Sequence, residues 1–148
     1  MIHRTTSPDE TFALAREFAG RLRVGDIVAL DGELGAGKTL FVQGLAAGMG
    51  VPGEVFVRSP SFALLNEYRG GRLPLYHLDF YRLERAAEIW DLGLEEYLDG
   101  DGVCIIEWAD RFPGALPGRT RHIRFRIVDE VTRTIDFVRS SVRPFVRS

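Results

Sequence analysis

Several features that are common in proteins are scarce or missing in this 148-residue sequence. Cys104 is the only cysteine, so no disulfide can form within the chain, which suits a reducing cytosol. No signal peptide is visible, and no apolar stretch approaches the ~18 residues that would suggest a membrane span. These absences predict a cytoplasmic protein without membrane contacts.

A net positive charge is also missing. The 19 basic and 21 acidic residues give a formal charge of −2. This argues against a stand-alone nucleic-acid binder, because phosphate contacts need a continuous basic surface. At this length one domain is expected. We assign the domain to residues 1–138 and treat residues 139–148 as a C-terminal tail without a usable pattern.

One glycine-rich stretch organises what the sequence does contain. Residues 32–39 read Gly-Glu-Leu-Gly-Ala-Gly-Lys-Thr, which fits the G-x-x-x-x-G-K-[ST] pattern of a phosphate-binding loop. The apolar run 26–30 before it predicts a buried strand, and apolar residues from Leu40 to Met49 recur at helical spacing. Strand, glycine loop and helix is the order that phosphate binding requires.

Each residue type in this loop has a chemical reason. The glycines allow consecutive backbone N–H groups to turn towards a phosphate, and the start of the helix adds the positive end of its dipole. Lys38 can reach the β- and γ-phosphates, and the Thr39 hydroxyl can ligate Mg²⁺. We therefore predict ATP binding along Leu34, Gly35, Ala36, Gly37, Lys38 and Thr39.

Lysine is otherwise absent, since Lys38 is the only one among the 19 basic residues. A compact ammonium fits among backbone donors where the planar fork of an arginine would not. The usual guanine-reading motif, Asn-Lys-x-Asp, would need a second lysine. The predicted base is therefore adenine.

A phosphate-binding loop also needs a carboxylate for its metal, usually at the end of a neighbouring apolar strand. Glu107, directly after the apolar run 103–106, is the first candidate. Asp79, within the segment 75–82, is the second, because an acid flanked by apolar residues in a strand is costly unless it serves a function. The alternative for both is an ordinary acid in or at the end of a strand.

Four further residues carry weaker signals. His77 is more typical of a satisfied packing residue than of a catalyst. Trp108 can cover a nucleotide or close the core, and packing is favoured. Ser59 and Ser61 carry hydroxyls in a loop that suits sensing of the γ-phosphate, while a Ser-Pro turn explains them equally well.

The periodicity predicts a single-domain α/β fold with a P-loop NTPase-like mixed β-sheet flanked by helices. A capping box at residues 7–10 starts a helix that runs to about Leu22. The other predicted elements are strands at 62–68 and 73–83, short helices at 84–90 and 94–98, and strands at 103–107, 122–127 and 134–138. Because Gly70-Gly71-Arg72 predicts a hairpin between the strands on either side, the sheet is expected to be mixed.

Four stretches occur in a distinctive order. They are Gly-Glu-Leu-Gly-Ala-Gly-Lys-Thr at 32–39, Ser-Pro-Ser-Phe at 59–62, Tyr-His-Leu-Asp-Phe-Tyr-Arg-Leu at 76–83 and Glu-Trp-Ala at 107–109. This set resembles the TsaE (YjeE) ATPases of bacterial tRNA threonylcarbamoyladenosine synthesis, over roughly residues 7–138. The loop itself is generic, whereas the segment Tyr-His-Leu-Asp-x-Tyr-Arg followed by Glu-Trp is specific to that family.

The resemblance implies a small P-loop ATPase that works with a TsaD-type threonylcarbamoyl transferase and a TsaB-type scaffold protein. These partners attach the threonylcarbamoyl group to N6 of adenosine 37 (t6A) in tRNAs that read codons beginning with A. The chain would reach tRNA indirectly, through them. The resemblance also implies that Thr39 and Glu107 hold Mg²⁺, that Asp79 is needed for hydrolysis, and that Glu10 and Arg133 contact the base.

Ser61 and Leu40 stand where the family usually or often has threonines. Ser61 keeps a hydroxyl, whereas Leu40 leaves Thr39 as the only hydroxyl for the metal. Two other functions stay open: a small-molecule kinase on the same scaffold, although no helical lid insert is found, and a nucleotide-dependent binding module with little intrinsic hydrolysis. Phosphate release without any acceptor would favour the ATPase.

Overall fold

The computed structural model describes residues 1–33, 35–52, 65–91, 93–112 and 114–138. The strands are β1 (Ile2–Thr5), β2 (Ile27–Asp31), β3 (Leu65–Tyr68), β4 (Leu75–Asp79), β5 (Val103–Glu107), β6 (Arg121–Ile127) and β7 (Arg133–Val138). The helices are α1 (Pro8–Ala19), α2 (Lys38–Gly48), α3 (Ala86–Asp91) and α4 (Leu94–Leu98), with a 3₁₀ turn at Ala109–Arg111. None of the described helices combines the length and apolar character needed to cross a membrane.

The seven described strands form one sheet in the order β1-β7-β6-β2-β5-β4-β3. Strand β2 runs parallel to β5 and β6, and β4 runs parallel to β5. The β3–β4, β6–β7 and β1–β7 pairs are antiparallel. The predicted mixed sheet and the hairpin around Gly70 are thus confirmed. Because β2, β4 and β5 are parallel, their carboxyl ends meet at the same edge of the sheet.

Helix α1 begins as the sequence predicts, with the Ser7 side chain accepting from the Glu10 N–H at 3.1 Å. The Glu10 carboxylate reaches back to the N–H of Thr6 at 2.6 Å, one residue before the position that a regular capping box uses. The helix ends at Ala19, earlier than predicted. Residues 20–22 continue with backbone hydrogen bonds to the third preceding residue, which tighten the last turn.

Helices α1 and α2 pack unusually close together, and glycine makes this possible. A Cβ added at Gly44 would lie 2.5 Å from the Phe12 carbonyl oxygen and 2.7 Å from the Ala15 Cβ, while one at Gly48 would lie 2.4 Å from the Arg16 carbonyl oxygen. These short distances show that larger residues would push the two helices apart. The packing brings the start of α1 against the glycine-rich loop.

Two apolar clusters cover the two faces of the sheet. The first contains residues of α1 and α2 together with Val28, Leu30 and Ile105. The second contains residues of α3 and α4 packed on alternate positions of the same strands, among them Ala29 and Ile106. Since side chains alternate along a strand, residues in the Ile105 register face α2, the helix that follows the glycine-rich loop.

Besides the earlier end of α1, the structure differs from the predicted elements at β1, β4 and α3. Strand β1 was not predicted, because its four residues show no apolar alternation and Ile2 is exposed; pairing with β7 makes it a strand. Strand β4 stops at Asp79, because its side chain accepts from the Tyr81 N–H and turns the chain. Helix α3 starts two residues late, where Glu88 caps the N–H groups of residues 84 and 85. The first three residues of the strand predicted at 62–68 lie outside the described residues.

Candidate active site

The glycine-rich loop leaves the end of β2 and enters α2, as the sequence predicts. Gly37 precedes the helix with φ 101°, a left-handed conformation that other residues adopt at a cost. A Cβ at Gly32 would lie 2.9 Å from the Phe125 carbonyl oxygen of β6. The loop therefore needs glycine for its backbone angle at one end and for close approach to the sheet at the other.

Lys38, the first residue of α2, is buried at 5% exposure. Its Nζ donates a hydrogen bond to the Gly32 carbonyl oxygen and lies 3.6 Å from the ring centroid of Trp108. Burial lowers the pKa of Lys38, and the nearby carboxylates of Glu107 and Asp79 act in the opposite direction. The ammonium is thus held between the loop and an aromatic face at the mouth of the site.

Asp79 and Glu107 end two neighbouring parallel strands and are paired in register. The Glu107 side chain is 4% exposed, and its Oε2 lies 2.6 Å from Nε2 of His77. Asp79 is partly buried, and this desolvation raises the pKa of its carboxyl group. The hydrogen bond from the Tyr81 N–H lowers that pKa, and the Glu107 charge adds to the increase.

Trp108 follows β5 directly and has φ 61°, the one positive φ at a non-glycine position among the described residues. This conformation is strained for a bulky residue. Its ring packs partly on the α3–α4 cluster, as expected, and lies 4.9 Å from the ring of Tyr81. The same ring also lines the cavity beside Lys38, and its covering of a nucleotide stays a prediction.

A cavity of about 300 Å³ joins these residues. It is lined by Gly35, Gly37, Lys38, Thr39, Leu40, Asp79, Tyr81, Glu107 and Trp108. A larger cavity of about 620 Å³ lies between α1 and strands β6 and β7, but it contains none of the predicted site residues. We assign the site by its chemistry, because the smaller cavity is the one that combines the loop, the ammonium and the two carboxylates.

Most predicted site residues that the structure describes come together here. Ala36 is a buried residue of the loop and does not line the cavity. Arg133 of β7 also contacts the loop, donating from Nη2 to the Gly35 carbonyl oxygen at 3.1 Å. Glu10 does not line the cavity, and its carboxylate bonds to Thr6, whose N–H and hydroxyl lower the Glu10 pKa. The predicted site residue Leu34, and the candidate sensing residues Ser59 and Ser61, lie outside the described residues.

Two contacts at the site were missed from sequence. Tyr81 lines the cavity, and His77, expected only to pack, hydrogen-bonds to Glu107. A signal for the second existed, because His77 and Asp79 are two residues apart in one strand and so share a face. The identity of the partner depends on strand register, which the sequence alone does not give.

The donor set fits Mg²⁺ and a bound polyphosphate. The Thr39 hydroxyl and the carboxylates of Glu107 and Asp79 are hard oxygen donors, and Mg²⁺ is usually bound through one or two carboxylates together with substrate phosphates. A Cβ at Gly35 would meet no atom within 4 Å, so the loop is open at this glycine, which lines the cavity. A phosphate at the start of α2 would meet backbone N–H groups and Lys38.

The strand, glycine loop and helix at the carboxyl edge of a mixed sheet define the class of protein: a single-domain α/β protein with a P-loop NTPase-like fold. The family model for the threonylcarbamoyl adenosine biosynthesis protein TsaE matches residues 5–135. The chain belongs to the TsaE family, and the resemblance seen in the sequence is confirmed.

Individual relatives agree with this assignment. The chain is 44% identical to the tRNA threonylcarbamoyladenosine biosynthesis protein TsaE of Bacillus subtilis, over 90% of this chain and 82% of the relative. It is 46% identical to the TsaE protein of Treponema pallidum, over 77% of this chain and 82% of the relative. The crystal structure of Bacillus subtilis YdiB superposes with a TM-score of 0.77 at 40% identity, covering 91% of this chain and 82% of that one.

Proposed function

We propose that this chain is a Mg²⁺-dependent ATPase that supports formation of t6A at adenosine 37 of tRNAs reading codons that begin with A. One observation supports the assignment as an ATPase: a single cavity beside the glycine loop is lined by Lys38, Thr39, Asp79 and Glu107. The role in tRNA modification is supported by the names of the relatives, which are tRNA threonylcarbamoyladenosine biosynthesis proteins.

Each residue of the site has a part in this proposal. The loop N–H groups bind phosphate oxygens, and Lys38 exchanges its contact with the Gly32 carbonyl for the β- and γ-phosphates. Thr39 and Glu107 would hold the metal. When bound, Mg²⁺ would supply positive charge that neutralises the charge of the phosphate oxygens.

Asp79 is suited to orient the attacking water. Its carboxylate lines the cavity, and the hydrogen bond from the Tyr81 N–H at 2.8 Å fixes one of its oxygens. The raised pKa makes this carboxylate a better proton acceptor than an exposed aspartate. Arg133 supports the loop from β7, while a direct contact of Glu10 with the base would require its carboxylate to leave Thr6.

The chain works in the cytoplasm with a TsaD-type transferase and a TsaB-type scaffold protein, and it acts on tRNA through them. The net charge of −2 supports an indirect route, because a protein that binds RNA alone needs a continuous basic surface. Nucleotide binding and hydrolysis at the loop would then set the state of the complex.

The test is phosphate release by the purified chain with ATP and no acceptor, with and without Mg²⁺. Lys38→Ala should abolish hydrolysis and weaken ATP binding, because it removes the charge that faces the β- and γ-phosphates. Arg16→Ala, an exposed substitution on α1, is the matched control and should behave as the parent. Unchanged turnover in Lys38→Ala would show that the loop is not the active site. No phosphate release without an acceptor, followed by phosphate transfer once a small-molecule acceptor is added, would favour the kinase.

The tRNA part is tested by reconstituting t6A formation with the two partner proteins. Omitting this chain, or replacing it with Lys38→Ala, should stop multiple-turnover modification. Full t6A formation in the absence of this chain would show that its ATPase activity is not needed for the modification. The isolated chain could hydrolyse ATP slowly and accelerate when the partners are added. That result would make the ATPase and the nucleotide-dependent binding module two descriptions of the same protein.

A further inference from the structure

A buried hydrogen-bonded chain leads from β3 to the carboxylate at the end of β5. His77, in the middle of β4, has 0% exposure. Its Nε2 lies 2.6 Å from Oε2 of Glu107, and its Nδ1 lies 3.2 Å from the hydroxyl of Tyr68. The Asn66 amide nitrogen donates to the same hydroxyl at 3.3 Å. The proposed function uses Glu107 but gives no role to the residues behind it.

The sheet register explains why these side chains meet. Asn66 is paired with His77 across the β3–β4 hairpin, and Asp79 is paired with Glu107 across β4 and β5. His77 and Asp79 share the face of β4 that looks towards α2. Along β4 the imidazole therefore lies two residues before Asp79, behind the two carboxylates and on the side away from the cavity.

The donors and acceptors in this series of hydrogen bonds, from Asn66 to Glu107, are mutually consistent. If Asn66 donates to the Tyr68 oxygen, the Tyr68 hydroxyl can donate to Nδ1 of His77. The Nε2–H of His77 then donates to Glu107. In this arrangement both ring nitrogens have a partner, and the orientation of the ring is fixed. In metal sites, a hydrogen bond to the second ring nitrogen fixes the orientation of a histidine. Outer contacts of this kind orient the ligands of the metal.

We propose that His77 is a positioning residue, held by Tyr68, which fixes one oxygen of Glu107 so that the other is presented to Mg²⁺. In the described part of the chain, His77 is the only group that hydrogen-bonds to the Glu107 side chain. A carboxylate with 4% exposure would otherwise be poorly solvated and free to rotate. This inference rests on the proposed Mg²⁺–ATP function of the same site.

The test compares His77→Leu, which removes both ring nitrogens, with His77→Gln, whose amide nitrogen can still donate to Glu107. ATP binding is measured by calorimetry in EDTA and across a Mg²⁺ series. We expect His77→Leu to raise the Mg²⁺ concentration that gives half of the maximal gain in ATP affinity by about 10–100-fold. Loss of a residue that hydrogen-bonds to a metal ligand has an effect of this size. Affinity for ATP in EDTA should change less than about 3-fold, because the hydrogen bonds of His77 go to Tyr68 and Glu107 and not to a described residue of the loop. His77→Gln should recover part of the loss.

Removing only the hydroxyl that holds the histidine gives a gentler variant, which keeps the imidazole itself and loosens its orientation. Tyr68→Phe should raise the Mg²⁺ requirement about 2–10-fold, which corresponds to one hydrogen bond. Tyr76→Phe is the matched control, because the Tyr76 hydroxyl bonds to Asp101 away from the site. It should leave the Mg²⁺ dependence unchanged. In a Glu107→Gln background, His77→Leu should add no further change if it acts through Glu107.

The outcomes separate the two proposals. A parent chain whose ATP binding ignores Mg²⁺ would overturn the proposed function and this inference with it. A parent that responds to Mg²⁺, with the same response in His77→Leu and Tyr68→Phe, would overturn this inference alone. The same holds if both variants weaken ATP binding equally in EDTA and in Mg²⁺, because that pattern indicates a purely structural role. If His77→Leu fails to fold, Tyr68→Phe against Tyr76→Phe decides the question.

Discussion

Two substitutions at Glu107 can separate its charge from its hydrogen bond. Glu107→Ala removes both, whereas Glu107→Gln removes the charge and keeps a carbonyl oxygen that can accept from His77. In Glu107→Ala the fully buried imidazole loses its partner at 2.6 Å. An unsatisfied buried donor costs about 1–3 kcal/mol, and the lost side-chain carbons add about 1 kcal/mol.

We therefore expect the free energy of unfolding to fall by about 2–4 kcal/mol in Glu107→Ala and by less than about 1 kcal/mol in Glu107→Gln. For a domain of this size, that corresponds to a melting temperature roughly 5–15 °C lower for the alanine variant. Denaturant unfolding followed by circular dichroism measures both. A glutamine variant as unstable as the alanine variant would refute the argument that the hydrogen bond to His77 stabilises the fold.

The Mg²⁺ dependence of hydrolysis, unlike the stability, should change alike in the two Glu107 variants. Both lose the carboxylate, so both should need at least about 10–100-fold more Mg²⁺ for hydrolysis, the range that loss of an outer partner alone produces. Raising Mg²⁺ should then recover part of the activity in each. If both variants keep the Mg²⁺ dependence of the parent, Glu107 is structural and Asp79 should replace it as the proposed ligand.

Three further predictions concern Asp79, the base and RNA. Asp79→Asn should stabilise the fold at neutral pH by up to about 1 kcal/mol, a small value because the side chain is partly exposed. Because burial raises the Asp79 pKa in the folded state, the gain should grow as the pH rises above about 4 and vanish below it, and a pH-independent gain in denaturant unfolding would contradict this cause. ATP should bind more tightly than GTP, since the chain has no second lysine for the usual guanine motif, and equal affinities in a direct titration would leave base selectivity unexplained. The isolated chain should bind tRNA weakly or not at all at physiological salt with or without ATP; tight, salt-sensitive binding lost on neutralising the exposed Arg124 and Arg126 would make β6 and β7 an RNA-binding element.

The local parts of the site were predictable from sequence, because they depend on contiguous residues. The loop at 32–39 carries its own pattern, and the apolar run before Glu107 marks a central strand with an acid at its end. The hairpin at Gly70 was signalled by turn residues, so the mixed sheet followed. In each case the determining interaction lies within a few residues along the chain.

The parts that could not be predicted depend on contacts between distant segments. His77 and Glu107 are 30 residues apart, and Arg133 meets Gly35 across 98 residues. Which side chain faces another across a sheet follows from strand order and register, and neither is written in local periodicity. Strand β1 was missed for the same reason, since its strand conformation comes from pairing with β7 and not from its own composition.

The burial of Lys38 has a practical consequence for chemical labelling. It carries the only ε-amino group in the sequence, so a lysine-directed acylating reagent has one side chain to modify, and that side chain lies in the site. Its lowered pKa leaves more of the amine unprotonated and nucleophilic near neutral pH, while the Gly32 carbonyl and the Trp108 ring limit access to it. The acylation rate of Lys38, measured separately from that of the Met1 α-amino group by peptide mapping, therefore reports how often the ammonium leaves its place between loop and ring.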